Sequence, residues 1–287
     1  MMNFATLQGL TIPEGVVTQI AKDGIVMWKL ETSKPIILEV EKITSNTYAG
    51  ETTYTAEEFI LLDIYPKTNG TVNVTYGGLT KTITDTSGVA EPNAQQVFFG
   101  TFNGVSNSVA TPASGELTIE GECAAFGVGE YVSDSKNNTL YCLCVTAIHN
   151  LGEIIAIPEN AFCNGLVGCT KITDVKIPDS VITIGHLAFA GCNAIEDIIV
   201  GKNVNYIGHL AFSVYNETFV STFKILATTP PEIGTSTNID NEVTQRCFQP
   251  VDSGYFNMEI IVPKGCSNVY KTAVGWSEYA DYIVEAS

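Results

Sequence analysis

The feature that most limits what this chain can fold into is a repeat of 23 residues in its second half. Cys169 recurs as Cys192, Ile172 as Ile195, Val175 as Ile198, Ile177 as Val200 and Val181 as Val204. Ile184-Gly-His-Leu-Ala-Phe189 returns unchanged as Ile207-Gly-His-Leu-Ala-Phe212. Looser copies flank the pair. Upstream, Ile157-Pro-Glu-Asn-Ala161-Phe162 sits at an offset of 27, with four extra residues within 163–168. Downstream, Phe223-Lys-Ile225 stands for Ile198-Ile-Val200 after an insertion around 214–221, Cys247-Phe248 stands for Ala-Phe, and Ile260-Ile-Val262-Pro263 stands for Val175-Lys-Ile177-Pro178. A unit this short cannot bury its own apolar face, so copies must stack into a continuous core.

Within one copy, Val175 and Ile177 alternate with Asp174 and Lys176, which predicts a short strand with one face inward. Pro178 ends that strand because it has no N–H for the ladder. Val181 and Ile184 begin a second inward stretch, Gly185 is expected at a tight bend, and Ala188-Phe189 fills the far corner. About five such coils, ~4.8 Å apart, make a rod ~25 Å long. In register, the outward strand positions form two rows, Asp174, Asp197, Thr222, Glu259 and Lys176, Ile199, Lys224, Ile261. These eight residues are the candidate binding site, a rigid face that addresses a side chain at every coil. They include none of the Trp, Tyr and Arg that dominate binding hot spots, so the plain alternative is a solvated sheet face.

The pattern Ile-x-Ile-Pro-x-x-Val-x-x-Ile-Gly-x-x-Ala-Phe-x-x-Cys-x-x-Ile runs here from Val175 through Phe189 and from Cys192 to Ile195. It resembles the BspA-like (Treponema-type) leucine-rich repeat. The ending is similar to that family's terminal segment in Ala227-Thr-Thr-Pro-Pro231, Ile261-Val-Pro263, Tyr270-Lys-Thr-Ala273 and Gly275-Trp276-Ser-Glu-Tyr279. The resemblance covers about half the chain. It implies a surface protein of bacteria or some protists, often adhesive, with no catalytic residues and no cofactor. The expected function is non-enzymatic adhesion or recognition of a host or bacterial surface protein or glycan.

Ahead of the repeats the rhythm changes. Ile36–Val40, Phe59–Ile64, Thr71–Tyr76, Gln96–Phe102 and Glu116–Gly121 alternate or are β-rich, between turn clusters such as Lys67-Thr-Asn-Gly70, Gly77-Gly78 and Pro112-Ala-Ser-Gly115. This spacing predicts an immunoglobulin-like β-sandwich, in architecture only, because no Cys…Trp…Cys signature is present. The expected class is mainly β, a sandwich followed by a short leucine-rich-repeat solenoid. The expected divisions are 1–34, a docking or strand segment; 35–137, the sandwich; and 138–287, the solenoid with its C-terminal cap. The opening Leu10-Thr-Ile-Pro-Glu-Gly-Val-Val-Thr-Gln-Ile20, with Gly24-Ile-Val-Met-Trp28, is similar to the N-terminus of some phage and prophage structural proteins from gut bacteria. That likeness carries the alternative function, a phage or prophage tail component, structural or receptor-binding. Met1-Met2-Asn3-Phe4 offers neither a basic start nor an apolar run before a cleavage site, so no secretory signal is expected. A protein released by lysis needs none. The expected location is a cell surface, the extracellular space or a virion.

Thirty-one acidic residues oppose fourteen basic ones, a net charge of −17. The excess is shared: seven Lys against sixteen acids up to residue 140, and seven basic residues against fifteen acids after it. No basic face remains to neutralise phosphates, which argues against nucleic acid and against an anionic membrane as partners. No stretch approaches the ~20 apolar residues of a span, so no membrane insertion is expected.

No HExxH, GxSxG, P-loop or EF-hand loop occurs. Of the three His, His149 is expected alone at an edge of the first coil. His186 and His209 share a repeat position and would stack about 5 Å apart. Either they form a metal or pH-sensitive pair, or they are solvated residues duplicated with the repeat. Two nitrogen ligands without a third make a thin site, so no metal is expected. Cys142-Leu143-Cys144 is expected on a strand, as a ligand pair, a strained bridge or two half-buried thiols. Cys169 and Cys192 could bridge neighbouring coils or belong to a ladder of buried thiols, and the family resemblance favours the ladder. Carboxylate neighbours such as Glu57-Glu58 and Glu196-Asp197 are expected from composition alone. The loop Gly100-Thr-Phe-Asn-Gly104 is a second candidate contact point.

Overall fold

The computed structural model describes residues 16–22, 25–31, 34–48, 54–86, 94–102, 105–107, 110–132, 139–164, 167–213, 222–237, 243–248 and 258–287. The chain divides into two compact units, Met1–Lys34 and Pro35–Ser287. In the first, Val16–Lys22 pairs antiparallel with Ile25–Glu31, Trp28 standing opposite Gln19. Of the N-terminal likeness, Leu10–Gly15 and Gly24 lie outside the described residues.

The second unit begins with two antiparallel sheets. One has the order Val145–Leu151, Ile36–Glu41, Ser114–Gly121, Thr71–Tyr76, Leu79–Thr84. The other has the order Cys123–Val128, Tyr54–Pro66, Gln95–Phe102, Val105–Ser106, with Ile43–Tyr48 also paired to Tyr54–Pro66. Alternation sets the inner faces: Ile36, Leu38 and Val40 are buried, as are Val72, Val74 and Tyr76. Tyr76 meets Phe99 of the other sheet edge-on, ring centroids 5.6 Å apart. Tyr54–Pro66 breaks the alternation, since Phe59, Ile60, Leu61 and Leu62 are all buried. A strand reads as a continuous apolar run when both of its faces are covered. Here the second cover is the segment leading into the solenoid: the Gly129 N–H donates to the Leu61 carbonyl at 2.8 Å, and the Leu61 N–H points at the Cys142 sulfur at 3.3 Å.

The solenoid is built on two parallel ladders. The longer joins Asp174–Lys176, Asp197–Val200, Thr222–Ile225, Glu259–Val262 and Ile283–Glu285. The shorter joins Ala156–Ile157, Thr183–Ile184, Tyr206–Ile207 and Glu232–Ile233. The chain is therefore mainly β with a β-solenoid, as its pattern requires. Equivalent side chains stack inside: Val175, Ile198, Phe223 and Ile260 in one column, Ile157, Ile184, Ile207 and Ile233 in another, all buried. At the far corner Phe162, Phe189 and Phe212 lie ring on ring, centroids 4.9 and 5.4 Å apart and interplanar angles of 17° and 6°. The extra residues in 163–168 form a two-rung hairpin, Cys163–Asn164 with Val167–Gly168. A second hairpin, Thr235–Thr237 with Val243–Gln245, leads back to Cys247-Phe248. The insertion at 214–221 lies outside the described residues.

The bend expected at Gly185 is one residue pair further on. The left-handed backbone falls at Asn160, Leu187 and Leu210, with φ of 55°, 54° and 53°. Gly185 and Gly208 serve another need. A Cβ on Gly185 would stand 2.3 Å from the Glu159 nitrogen, and one on Gly208 would stand 2.3 Å from the His186 nitrogen. These glycines let neighbouring coils close to ladder distance.

Both ends of the solenoid are covered. At the start, the Ile155 N–H donates to the Ala124 carbonyl at 2.8 Å, just as Ile182 donates to Ile155 at 2.9 Å. The sandwich strand Cys123–Val128 thus takes the place of a preceding coil, and Phe126 continues the aromatic column, edge-on to Phe162 at 5.8 Å. At the end, the helix Ser267–Thr272 and the 3-10 turn Ser277–Tyr282 bury Tyr270, Trp276 and Tyr279. Tyr270 donates to the Ala227 carbonyl and Trp276 to the Pro231 carbonyl, both at 2.8 Å, and Tyr279 meets Phe248 edge-on at 5.3 Å. Buried aromatic N–H and O–H groups need such partners.

Candidate functional site

The longer ladder sets its outward residues in the rows expected from sequence. Asp174 pairs with Asp197, Asp197 with Thr222 and Thr222 with Glu259; Lys176 pairs with Ile199, Ile199 with Lys224 and Lys224 with Ile261. Asp174, Lys176, Asp197 and Glu259 are exposed, while Ile199, Thr222, Lys224 and Ile261 are half-buried. Their inward neighbours Val175, Ile198, Phe223 and Ile260 are packed in the core, so the backbone beneath the face is fixed on its other side. Thr173 donates to the Asp174 carboxylate at 2.8 Å. Among the described residues Asp197, Glu259 and Lys224 have no ion-pair partner within the chain.

The face is larger than the two rows. Ile283–Glu285 adds a fifth strand, placing Val284 beside Ile261 at 37% exposure. A third row follows the strand ends: Leu226 donates to the Val200 carbonyl and Ala286 to the Val262 carbonyl, so Gly201, Leu226, Pro263 and Ala286 share a level. Leu226 is 38% exposed. The face therefore grades from a carboxylate row through a mixed lysine and isoleucine row to an uncharged one. Ile-Val-Glu at 283–285 shows no alternation and no repeat landmark surrounds it, so the fifth strand left no signal in the sequence.

The other singled-out residues take structural roles. His186 is half-buried, and both its ring nitrogens are engaged. Its Nδ1 accepts the His209 backbone N–H at 2.9 Å, and its Nε2 lies 3.1 Å from the Tyr206 hydroxyl. Burial, then the neighbouring His186 and Arg246, holds His209 below the usual imidazole range. His149 stands at an edge, that of the sandwich sheet, with Nε2 3.9 Å from a Glu39 carboxylate oxygen. Among the described residues no group of three His, Cys, Asp or Glu is placed to hold a metal ion.

All eight cysteines are free thiols, and all but Cys266 are buried. Cys142 and Cys144 are not on a strand. The Cys144 N–H donates to the Cys142 carbonyl at 2.7 Å, a three-residue turn that aims both sulfurs at Leu61. Cys169 and Cys192 belong to the ladder of buried thiols, with Cys192 Sγ 3.4 Å from the Phe162 carbonyl oxygen. Burial pushes the Cys163 and Cys192 thiols up to about 12. In the loop after Gly100, the Gly100 N–H donates to Asn107 Oδ1 at 2.8 Å, while residues 103–104 lie outside the described part.

A half-open depression of about 210 Å³ lies where the sandwich meets the first coil, lined by Glu41, Lys42, Leu143, Thr146, Thr170 and Lys171. Its two cations are committed, Lys171 to Glu41 and Lys42 to the Thr111 carbonyl at 2.8 Å. No helix among the described residues is long and apolar enough to cross a membrane.

No curated protein and no solved structure matches the chain. Residues 135–256 match the family described as BspA type Leucine rich repeat region, in six copies. Repeat spacing, ladder register and family match thus agree that the second half of this chain is similar to a BspA-type leucine-rich repeat scaffold, a kind of protein that typically binds rather than catalyses.

Proposed function

We propose that the protein is a non-enzymatic interaction protein that acts outside the cell, in adhesion or recognition, and that it binds through the outward face of the longer ladder. The observation that carries this reading is the five-strand register, which holds Asp174 through Glu259 and Lys176 through Val284 in unbroken rows. A face so fixed binds with little loss of backbone freedom, which is the main cost that flexible surfaces incur. The similarity to BspA-type repeats supports a protein-binding role and an exposed location.

The test is a binding screen against arrayed surface proteins and glycans, repeated with Asp197→Ala, Lys224→Ala, Glu259→Ala and Ile261→Ala combined. The expected result is at least about a tenfold loss for ligands that bind the wild type. Unchanged binding in the combined variant overturns the assignment of the face. The separate unit Met1–Lys34 supports a second setting for the same surface, a tail component attached through that unit. Tail and lysis genes beside this one would favour the virion; their absence would favour the cell.

A further inference from the structure

We propose that the occupant of this face is a basic amphipathic α-helix of a partner protein, laid across the strands along the rows. The proposal deepens the interaction reading above and rests on it. Three properties of the face select this chemistry. First, Asp174, Asp197 and Glu259 line one flank, and among the described residues Asp197 and Glu259 form no ion pair within the chain. A row of Lys or Arg complements that flank. Second, Ile199, Ile261 and Val284 are partly exposed in the adjacent row, with Leu226 one level beyond. Beyond Lys176, which opens that row, they make it largely apolar, and the Lys224 stem between two isoleucines is itself apolar up to its ammonium.

Third, the geometry suits a helix better than a strand. Rows advance by ~4.8 Å per coil, against ~5.4 Å per helical turn and ~6.7 Å between same-side residues of an extended chain. Adjacent coils therefore meet successive turns with a mismatch of about 0.6 Å, where a strand would miss by about 2 Å. Five strands span about 19 Å, the length of a helix of about thirteen residues. The outward strand residues include no aromatic ring on which a sugar could lie. A second copy of this chain, at −17, would bring carboxylates rather than ammonium groups to the acidic flank.

The experiment titrates the full chain against a fluorescein-labelled Lys/Leu peptide of about fourteen residues, patterned as an amphipathic helix, at about 0.15 M salt. A scrambled peptide of the same composition and a Glu/Leu peptide of the same pattern serve as comparisons. The expected result is binding of the patterned basic peptide roughly tenfold or more tighter than either comparison. Asp197→Lys with Glu259→Lys, and separately Ile261→Thr with Val284→Thr, should each weaken it by about tenfold. Threonine keeps the β-branch, so the strands persist, and thermal melts of each variant verify folding. Equal binding of the scramble means mere attraction of a polycation to an acidic protein and overturns the proposal. So does retention of affinity in either folded variant. If the peptide fails while the earlier screen still finds ligands lost on the combined alanine variant, the helix falls and the interaction face stands. If both fail, the reading of the face falls with it.

Discussion

At the scale of single residues, the coil separates two demands that a sequence pattern merges. Gly185 and Gly208 are needed for close approach, because a Cβ at either would press a backbone nitrogen of the preceding coil at 2.3 Å. Leu187 and Leu210 carry the left-handed turn, with half-buried side chains. Gly185→Ala should therefore destabilise by about 2–3 kcal/mol, the range of an overpacked core. Leu187→Gly should stay within about 1 kcal/mol of the wild type, since relief of about 1–2 kcal/mol of left-handed strain offsets the lost apolar contact. Urea denaturation of both variants decides it; a neutral Gly185→Ala would contradict the account. His209 gives a pH test. Its folded value lies below the ordinary 6.5, so below 6.5 the unfolded chain takes up the proton more readily. Its contribution is complete above pH 6.5 and is lost as pH falls from there toward the folded value. His209→Gln should flatten the stability profile in that window relative to the wild type, as seen in melting temperature against pH.

At the scale of elements, the solenoid is a stack of columns, and the aromatic one is continuous from Phe126 to Tyr279. Phe189, fully packed between Phe162 and Phe212, should cost about 3–5 kcal/mol as Phe189→Ala in chemical denaturation. The thiol column predicts its own chemistry. At pH 8 only Cys266 should react promptly with a disulfide reagent, and all eight thiols should react once the chain is unfolded. Rapid titration of several thiols in the folded protein would show that the corner is not closed. These elements were the most legible part of the sequence. Identity at 23 residues fixed the ladder register to the residue, and Tyr270, Trp276 and Tyr279 marked the cap. The turn at Cys142–Cys144 was not legible, because C-x-C spacing is as compatible with a strand as with a three-residue turn.

At the scale of the whole molecule, the link between sandwich and solenoid left no local trace. Ile36–Glu41 pairs with Val145–Leu151 across more than a hundred residues, and periodicity within a window cannot report such pairing. The same holds for Cys123–Val128, whose continuous burial reflects two covers: the sandwich on one side and the first coil on the other. The even spread of acidity argues against a single charged patch that would account for the net charge. The central claim is that Pro35–Ser287 is one cooperative body in which the sandwich caps the solenoid and thereby holds the outward face of the longer ladder. Hydrogen exchange of wild type and Phe189→Ala tests it most directly. The expected result is that amides of Ile36–Glu41, Cys123–Val128 and Asp197–Val200 lose protection together in the variant. Loss confined to the solenoid, with Ile36–Glu41 protected as in the wild type, would contradict it.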